Sequence, residues 1–218
     1  MTLFFEKELY KMKKHILSLG AMVEERLRLA IQAIADGDLQ IAESVIKLDY
    51  EIDEKEVEVE EECLKILALY QPVAVDLRFI VAVIKINNDL ERIADEAVNI
   101  AERVANITGK QDDVFRFDYS HMAAIVEDML KKSLDALVNL DVDVAFKVVT
   151  LDDDVDDLHA SAYDLIKNEM LKTPEQAGSL INLYLISRHL ERIADHATNI
   201  AEEVIYLVEG EIVRHGNY

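Results

Sequence analysis

Chain breakers are scarce in this sequence. Its 218 residues hold only six glycines and two prolines, and no tryptophan. So little punctuation excludes a loop-rich or many-turned β-architecture and leaves long helices joined by short turns. One cysteine, Cys63, excludes an internal disulfide and fits a reducing compartment. It stands in the acidic run EVEVEEECLK and reads as a small core or boundary residue, not a reactive thiol. Long apolar runs are also missing. The longest, Phe79 to Ile84, is far too short to span a bilayer. The N-terminal MTLFFEKELYKMKKH mixes charges of both signs and has no apolar signal core. A soluble, cytoplasmic protein without membrane insertion is expected. Basic residues are outnumbered 44 to 23, for a net charge of −21. That balance excludes nucleic acid as a partner and argues against charge-driven docking on anionic lipid. Cations and basic protein surfaces are the natural partners.

What is present is helical periodicity over a chain that is 51% hydrophobic. Leu9, Met12, Ile16, Leu19, Val23, Leu27, Ala30 and Ile34 recur in steps of three and four, one helical stripe. Asp36-Gly37-Asp38 breaks it. A second helix is expected over 39–70, stopping near Pro72, and a third over 73–107. A fourth carries Met122, Ile125, Met129, Ser133, Leu137 and Leu140 in its stripe. A turn at Asp141 to Asp143 leads to a fifth helix ending near Lys172, and a sixth runs from about 175 to 209. No stretch alternates with period two, so no sheet is expected.

The block LERIAD occurs at 90–95 and again at 190–195. Read outward, the copies are INNDLERIADEAVNIAERV (86–104) and ISRHLERIADHATNIAEEV (186–204). An internal repeat of this kind means duplicated structural units. The expected fold is therefore all-α, two tandem three-helix bundles related by duplication. Residues 1–108 form the first repeat, 109–117 a linker and 118–218 the second. Antiparallel neighbours on short turns make up-down bundles.

Each copy of LERIAD sets two acids four residues apart, Glu91 with Asp95 and Glu191 with Asp195. Like charges at that spacing repel on a helix. Upstream, LDYEID supplies Asp49 and Asp53, and LDDDVD supplies Asp152 and Asp156, again four apart. In an antiparallel hairpin, residues equidistant from the turn lie at one height. The midpoint of 53 and 91 is 72, as is that of 49 and 95; 156 with 191 and 152 with 195 both average 173.5. Four carboxylates should thus converge on each hairpin. That is costly unless a cation balances them. Hard oxygen ligands suit Mg²⁺, Ca²⁺, Mn²⁺ or iron, and zinc also accepts carboxylates. Asn99, Glu102, Asn199 and Glu202 continue the same face as further ligand candidates, with His189 and His196 as lesser ones. Glu96 is replaced by His196 in the second copy, so the two sites need not match. Glu91 and Asp95 lie about 100° around the helix from the apolar stripe Leu90, Ala94, Ala97, Ala101 and Val104. The clusters should therefore flank the core, open to solvent or a partner. Arg92 and Arg192 beside the glutamates offer a plainer alternative, surface ion pairs on a solvated acidic face.

PVAVDLRFIVAVIKINNDLERIADEAVNIAERV (72–104) and LISRHLERIADHATNIAEEVIYLVEGEIVRH (185–215) resemble the two signature regions of the PhoU family. The resemblance covers nearly the whole chain. It implies metal at the [DE]xxxD motifs, with multinuclear iron or zinc clusters in some members. Carried over, the motif positions are Asp49, Asp53, Glu91, Asp95, Asp152, Asp156, Glu191 and Asp195. It further implies a negative regulator that joins the ATPase of the phosphate ABC transporter to the phosphate-sensing histidine kinase of the starvation response. Leftover apolar surface would allow a homodimer. The alternative is a carboxylate-bridged di-metal enzyme of ferritin-like type, which needs a Glu-x-x-His motif on each of two helices. Here only Asp156-x-x-His159 comes near it, so no enzyme is expected. A bundle without metal is the third reading.

Overall fold

The computed structural model describes residues 3–107, 115 and 117–210. The expected linker and the expected end of the third helix at Thr108-Gly109 lie largely outside these. Helix α1 spans Leu3–Asp36, α2 Leu39–Lys47, α3 Tyr50–Tyr70, α4 Ala74–Ile107, α5 Ser120–Asn139, α6 Val142–Lys172 and α7 Ala177–Glu209. Among the described residues there is no strand. A short 3-10 turn, Pro174–Gln176, precedes α7. Helices α1 to α4 form one antiparallel bundle, α5 to α7 the other, and the two share a continuous apolar core. Among the described residues, no helix is long and apolar enough to cross a membrane.

The boundaries follow from local chemistry, and the two repeats use the same devices. Gly37 takes a left-handed φ of 62°, and Asp38 then caps α2 by accepting from the amides of Gln40 and Ile41 at 2.8 and 3.1 Å. Asp141 caps α6 likewise, accepting from Val144 N at 3.0 Å. At the hairpin turn, Gln71 and Ala74 on either side of Pro72-Val73 both have positive φ, 46° and 52°. Non-glycine residues seldom adopt that conformation. Leu140 does the same at the end of α5 (φ 53°); it is exposed there, outside the stripe to which its spacing assigned it.

The second helix is broken where one piece was expected. Its two parts meet at Leu48-Asp49, beside the first carboxylate of the motif. The cause is Arg26, buried in α1. Its guanidinium donates to the carbonyls of Val45 and Leu48, both at 3.0 Å, and so satisfies acceptors that an unbroken helix would have used internally.

The most extensive packing joins α4 to α7, the helices that carry the repeated blocks. Ala94, Ala97 and Ala101 of α4 and Ala194, Ala197 and Ala201 of α7 are all buried. Helix α1 closes on α5 at Gly20, where a β-carbon would stand 2.8 Å from Leu134 Cδ2. Cys63 is fully buried against Met12, and burial pushes its thiol up to about 12, so it is a core residue.

Candidate functional site

Each hairpin presents its four motif carboxylates along one flank. In the first, Asp49 stands at the start of α3, Asp53 one turn on, and Glu91 and Asp95 on the neighbouring stretch of α4. In the second, Asp152 and Asp156 lie on α6 and Glu191 and Asp195 on α7. Asp53, Asp156 and Asp195 are exposed and the other five partly buried. The clusters thus sit beside the core, as their angular offset from the apolar stripe requires.

The electrostatics run along the mirror pairs. Burial raises the Asp49 carboxyl above the usual range, and the charges of Asp53 and Asp95 raise it further against the pull of Arg26. Burial, Asp95 and Asp53 raise Glu91, opposed by Arg92. Asp95 is raised by burial and by Asp53 against Arg92. In the second repeat Asp152 is pushed up to about 6, first by burial and then by Asp195 and Asp156. Glu191 is raised by burial, Asp195 and Asp156, and Asp195 by burial and Asp156. Carboxylates that make one another uncomfortable in this way favour either a proton or a cation.

In the first cluster the buried Asp49 Oδ1 has no hydrogen-bond partner, and the buried Glu91 Oε2 has only the ion-pair contact with Arg92 Nε at 3.5 Å. Buried oxygens are seldom left so. Thr198 Oγ1 is likewise buried without a bond of good geometry, although the hydroxyl lies close enough to Asp152 to favour its charged form. As the side chains lie, among the described residues no three carboxylate, imidazole or thiolate groups are arranged to hold a metal ion. The all-oxygen donor set and the unpartnered Asp49 oxygen nonetheless fit a hard cation.

Other expected ligands are used elsewhere. His189 and His196 cross the α4–α7 seam: His189 Nδ1 lies 2.6 Å from Glu96 Oε2 and His196 Nδ1 lies 2.9 Å from Asp89 Oδ1. Arg192 Nε meets Glu96 Oε1 at 3.0 Å, so it bridges the repeats instead of pairing with its own motif. Asn99 donates to Glu96 at 3.3 Å and Asn199 to Asp89 at 3.2 Å. Glu102 pairs with Arg103 at 3.2 Å. Arg92 does form the plain ion pairs expected of it, 3.5 Å from both Glu91 and Asp95. At the start of α4, Arg78 packs over Gly210 at the end of α7, and with Asp76, Lys13 and a set of aliphatic side chains it lines a groove of about 400 Å³.

One layer of contacts escaped the sequence reading, which named His159 only as a near-match to the di-metal motif. Next to the clusters, Asn87 Nδ2 donates to Glu56 Oε1 at 2.9 Å, and in the second repeat His159 Nδ1 meets Ser187 Oγ at 3.1 Å. The mirror arithmetic carried one turn toward each tip pairs 56 with 88 and 159 with 188, immediate neighbours of Asn87 and Ser187.

The chain has relatives along its full length. The PhoU domain model matches it twice, at residues 16–104 and 119–204. The phosphate-specific transport system accessory protein PhoU homologue of Aquifex aeolicus is 40% identical over 99% of this chain and 96% of its own. The homologue of the same description from Pseudomonas aeruginosa is 37% identical over 97% and 88%. The crystal structure of PhoU from Pseudomonas aeruginosa superposes with a TM-score of 0.91 at 36% identity, covering 95% of this chain and all of the other. That of the phosphate transport system regulatory protein PhoU from Streptococcus pneumoniae gives 0.89 at 30% identity, covering 96% and 99%. The Aquifex and Pseudomonas homologues are named as accessory proteins and the Streptococcus protein as a regulatory protein. The doubled helical repeat, its duplicated motifs and these matches together place the chain in the PhoU family.

Proposed function

We propose that this protein is a cytoplasmic, metal-binding regulatory adaptor of bacterial phosphate uptake. In this role it is a negative regulator of the phosphate-starvation response, linking the ATPase subunit of the phosphate ABC transporter to the phosphate-sensing histidine kinase. The observation that carries the reading is the near-full-length match to phosphate-specific transport system accessory proteins. The metal half of the reading draws on the raised carboxyls of both acidic clusters and, in the first, on the unpartnered Asp49 Oδ1, which suit a cation. Asp49, Asp53, Glu91 and Asp95 would hold metal in the first repeat, and Asp152, Asp156, Glu191 and Asp195 in the second. Iron or zinc, or a harder ion such as Mg²⁺, Mn²⁺ or Ca²⁺, would supply positive charge that lets the carboxylates share one patch. Docking is favoured by the apolar side chains left exposed near the hairpin turns, among them Leu69, Val73, Val75 and Leu171. The acidic surface would speed encounter with a basic partner face.

Elemental analysis of natively purified protein tests the metal, and co-purification with the transporter ATPase tests the adaptor role. Stoichiometric metal that is lost in Asp53→Asn plus Asp156→Asn supports the first. Retention of a tagged ATPase subunit, weakened by high salt, supports the second. Protein free of metal that still captures the ATPase would leave an adaptor whose acidic flanks serve solubility alone.

A further inference from the structure

The two acidic clusters continue differently by one residue each. Glu56 of α3 and His159 of α6 hold equivalent places, each three residues beyond the second aspartate of its pair, and each meets the equivalent side chain of the facing helix. Residues three apart share a helix face. Glu56 is gripped by Asn87, whose amide donates both to its carboxylate at 2.9 Å and to its backbone carbonyl at 3.0 Å. Asn87 is 1% exposed, and its own Oδ1 is buried without a partner. The charge of Glu56 reaches Glu91, and it feels that of Asp53 in turn, so it belongs electrostatically to the first cluster.

The tautomer of His159 follows from its neighbour. The Ser187 hydroxyl already donates to the carbonyl of Tyr184 at 2.8 Å. Its proton is spent, so at the 3.1 Å contact Ser187 Oγ accepts and His159 Nδ1 carries the hydrogen. The lone pair then lies on Nε2. A neutral imidazole whose other nitrogen is held by a hydrogen bond is the usual form of a metal-ligating histidine. Burial favours that neutral form, and the ring is further restrained by stacking on Tyr184 at 5.4 Å.

We propose, building on the metal reading above, that the two sites are chemically unlike: Glu56 completes the first as an all-oxygen site, while His159 Nε2 enters the second as a nitrogen ligand. The first then favours hard ions such as Mn²⁺ or Mg²⁺, and the second favours zinc or iron.

The test uses the full chain, stripped with chelator and reloaded with Zn²⁺ or Mn²⁺. Zn K-edge absorption reads imidazole scattering, and competition against a chromophoric chelator reads affinity at each site. His159→Asn keeps an N–H near the place of Nδ1 and removes Nε2. It should abolish the imidazole signal from one zinc and weaken zinc about 10- to 100-fold there, leaving Mn²⁺ unchanged. Ser187→Ala, which releases the ring, should cost zinc about tenfold. Glu56→Gln should weaken Mn²⁺ about tenfold and spare the histidine-containing site. An imidazole signal unmoved by His159→Asn, or lost instead in His196→Asn, overturns the inference while the metal reading stands. A wild-type chain that takes up neither ion overturns both.

Discussion

Glu96 and His189 meet 2.6 Å apart across the seam of α4 and α7, and the pseudo-twofold axis between the repeats answers that pair with Asp89 and His196 at 2.9 Å. Positions 89 and 96 of one helix contact 196 and 189 of the other. The first repeat supplies both acids and the second both imidazoles. The divergence of the duplicated blocks therefore has a physical reading: two identical copies would face acid with acid across this axis, whereas these form two complementary pairs.

Glu96 is 3% exposed and also carries Arg192 at 3.0 Å. Glu96→Ala should cost about 2–3 kcal/mol, less than a fully buried pair because Arg192 can reach water. Urea unfolding of Glu96→Ala, His189→Ala and the double variant would show a double loss smaller than the sum of the singles. Burial pushes the Glu96 carboxyl up, but the His189 hydrogen bond and the charges of His189 and Arg192 outweigh it and hold it below the usual range. Its contribution is therefore present above the unfolded carboxyl value and is lost as pH falls through the lower folded one. A Glu96→Gln variant should lose less stability than wild type on acidification below about pH 4.5.

Asp152 has the opposite sign. Its folded carboxyl is pushed up to about 6, so its contribution is present below the unfolded value and fades as pH rises through 6. In chelator-treated protein, Asp152→Asn should gain stability relative to wild type between about pH 4 and 6, where the folded carboxyl still holds a proton that the unfolded one has lost. A gain of about 1 kcal/mol is expected once solvent screening of this part-exposed group is allowed for. Chemical denaturation at stepped pH measures it. No change in the difference across that window would contradict the burial and repulsion described for this site.

Metal binding to the folded chain alone should raise Tm with concentration. Zn²⁺ or Mn²⁺ at about 100 times its Kd adds about 2.7 kcal/mol per site, roughly 5–10 °C for a chain of this size. Asp53→Asn plus Asp156→Asn should flatten the response in a thermal scan. Because raised carboxyls must lose their protons to bind a cation, the wild-type shift should also be smaller at pH 5 than at pH 7.5.

Arg26→Met should destabilise the first bundle by about 2 kcal/mol. It keeps much of the aliphatic stem but removes the donor to the carbonyls of Val45 and Leu48 at the break between α2 and α3, leaving Leu48 only the longer bond from the Glu51 amide at 3.3 Å. Losing the nearby positive charge should also raise the Asp49 carboxyl further. Denaturation gives the first effect, and carboxyl-carbon NMR titration of Asp49 the second.

Apart from the break within 39–70, the sequence alone determined the helices, their hairpin turns and the heights at which the motif carboxylates meet. Each depends on local arithmetic: a period of 3.6, a cap or a proline, and equal distances along two arms of one hairpin. Asp49 with Asp95, and Asp156 with Glu191, were legible for that reason. Only the tertiary structure decided what lies across the seam. The pairing of Glu96 with His189, the reach of Arg192 into the other repeat and the break imposed by Arg26 all join residues whose separation in the chain carries no periodic signal. Helix α4 buries a second face against α7, with Ile86, Ile93, Glu96 and Ile100 all shielded from water. No single-helix pattern tells which of two apolar faces meets the hairpin partner and which meets the other repeat. That choice is made by the fit of small residues and paired charges between surfaces that exist only once both bundles have formed.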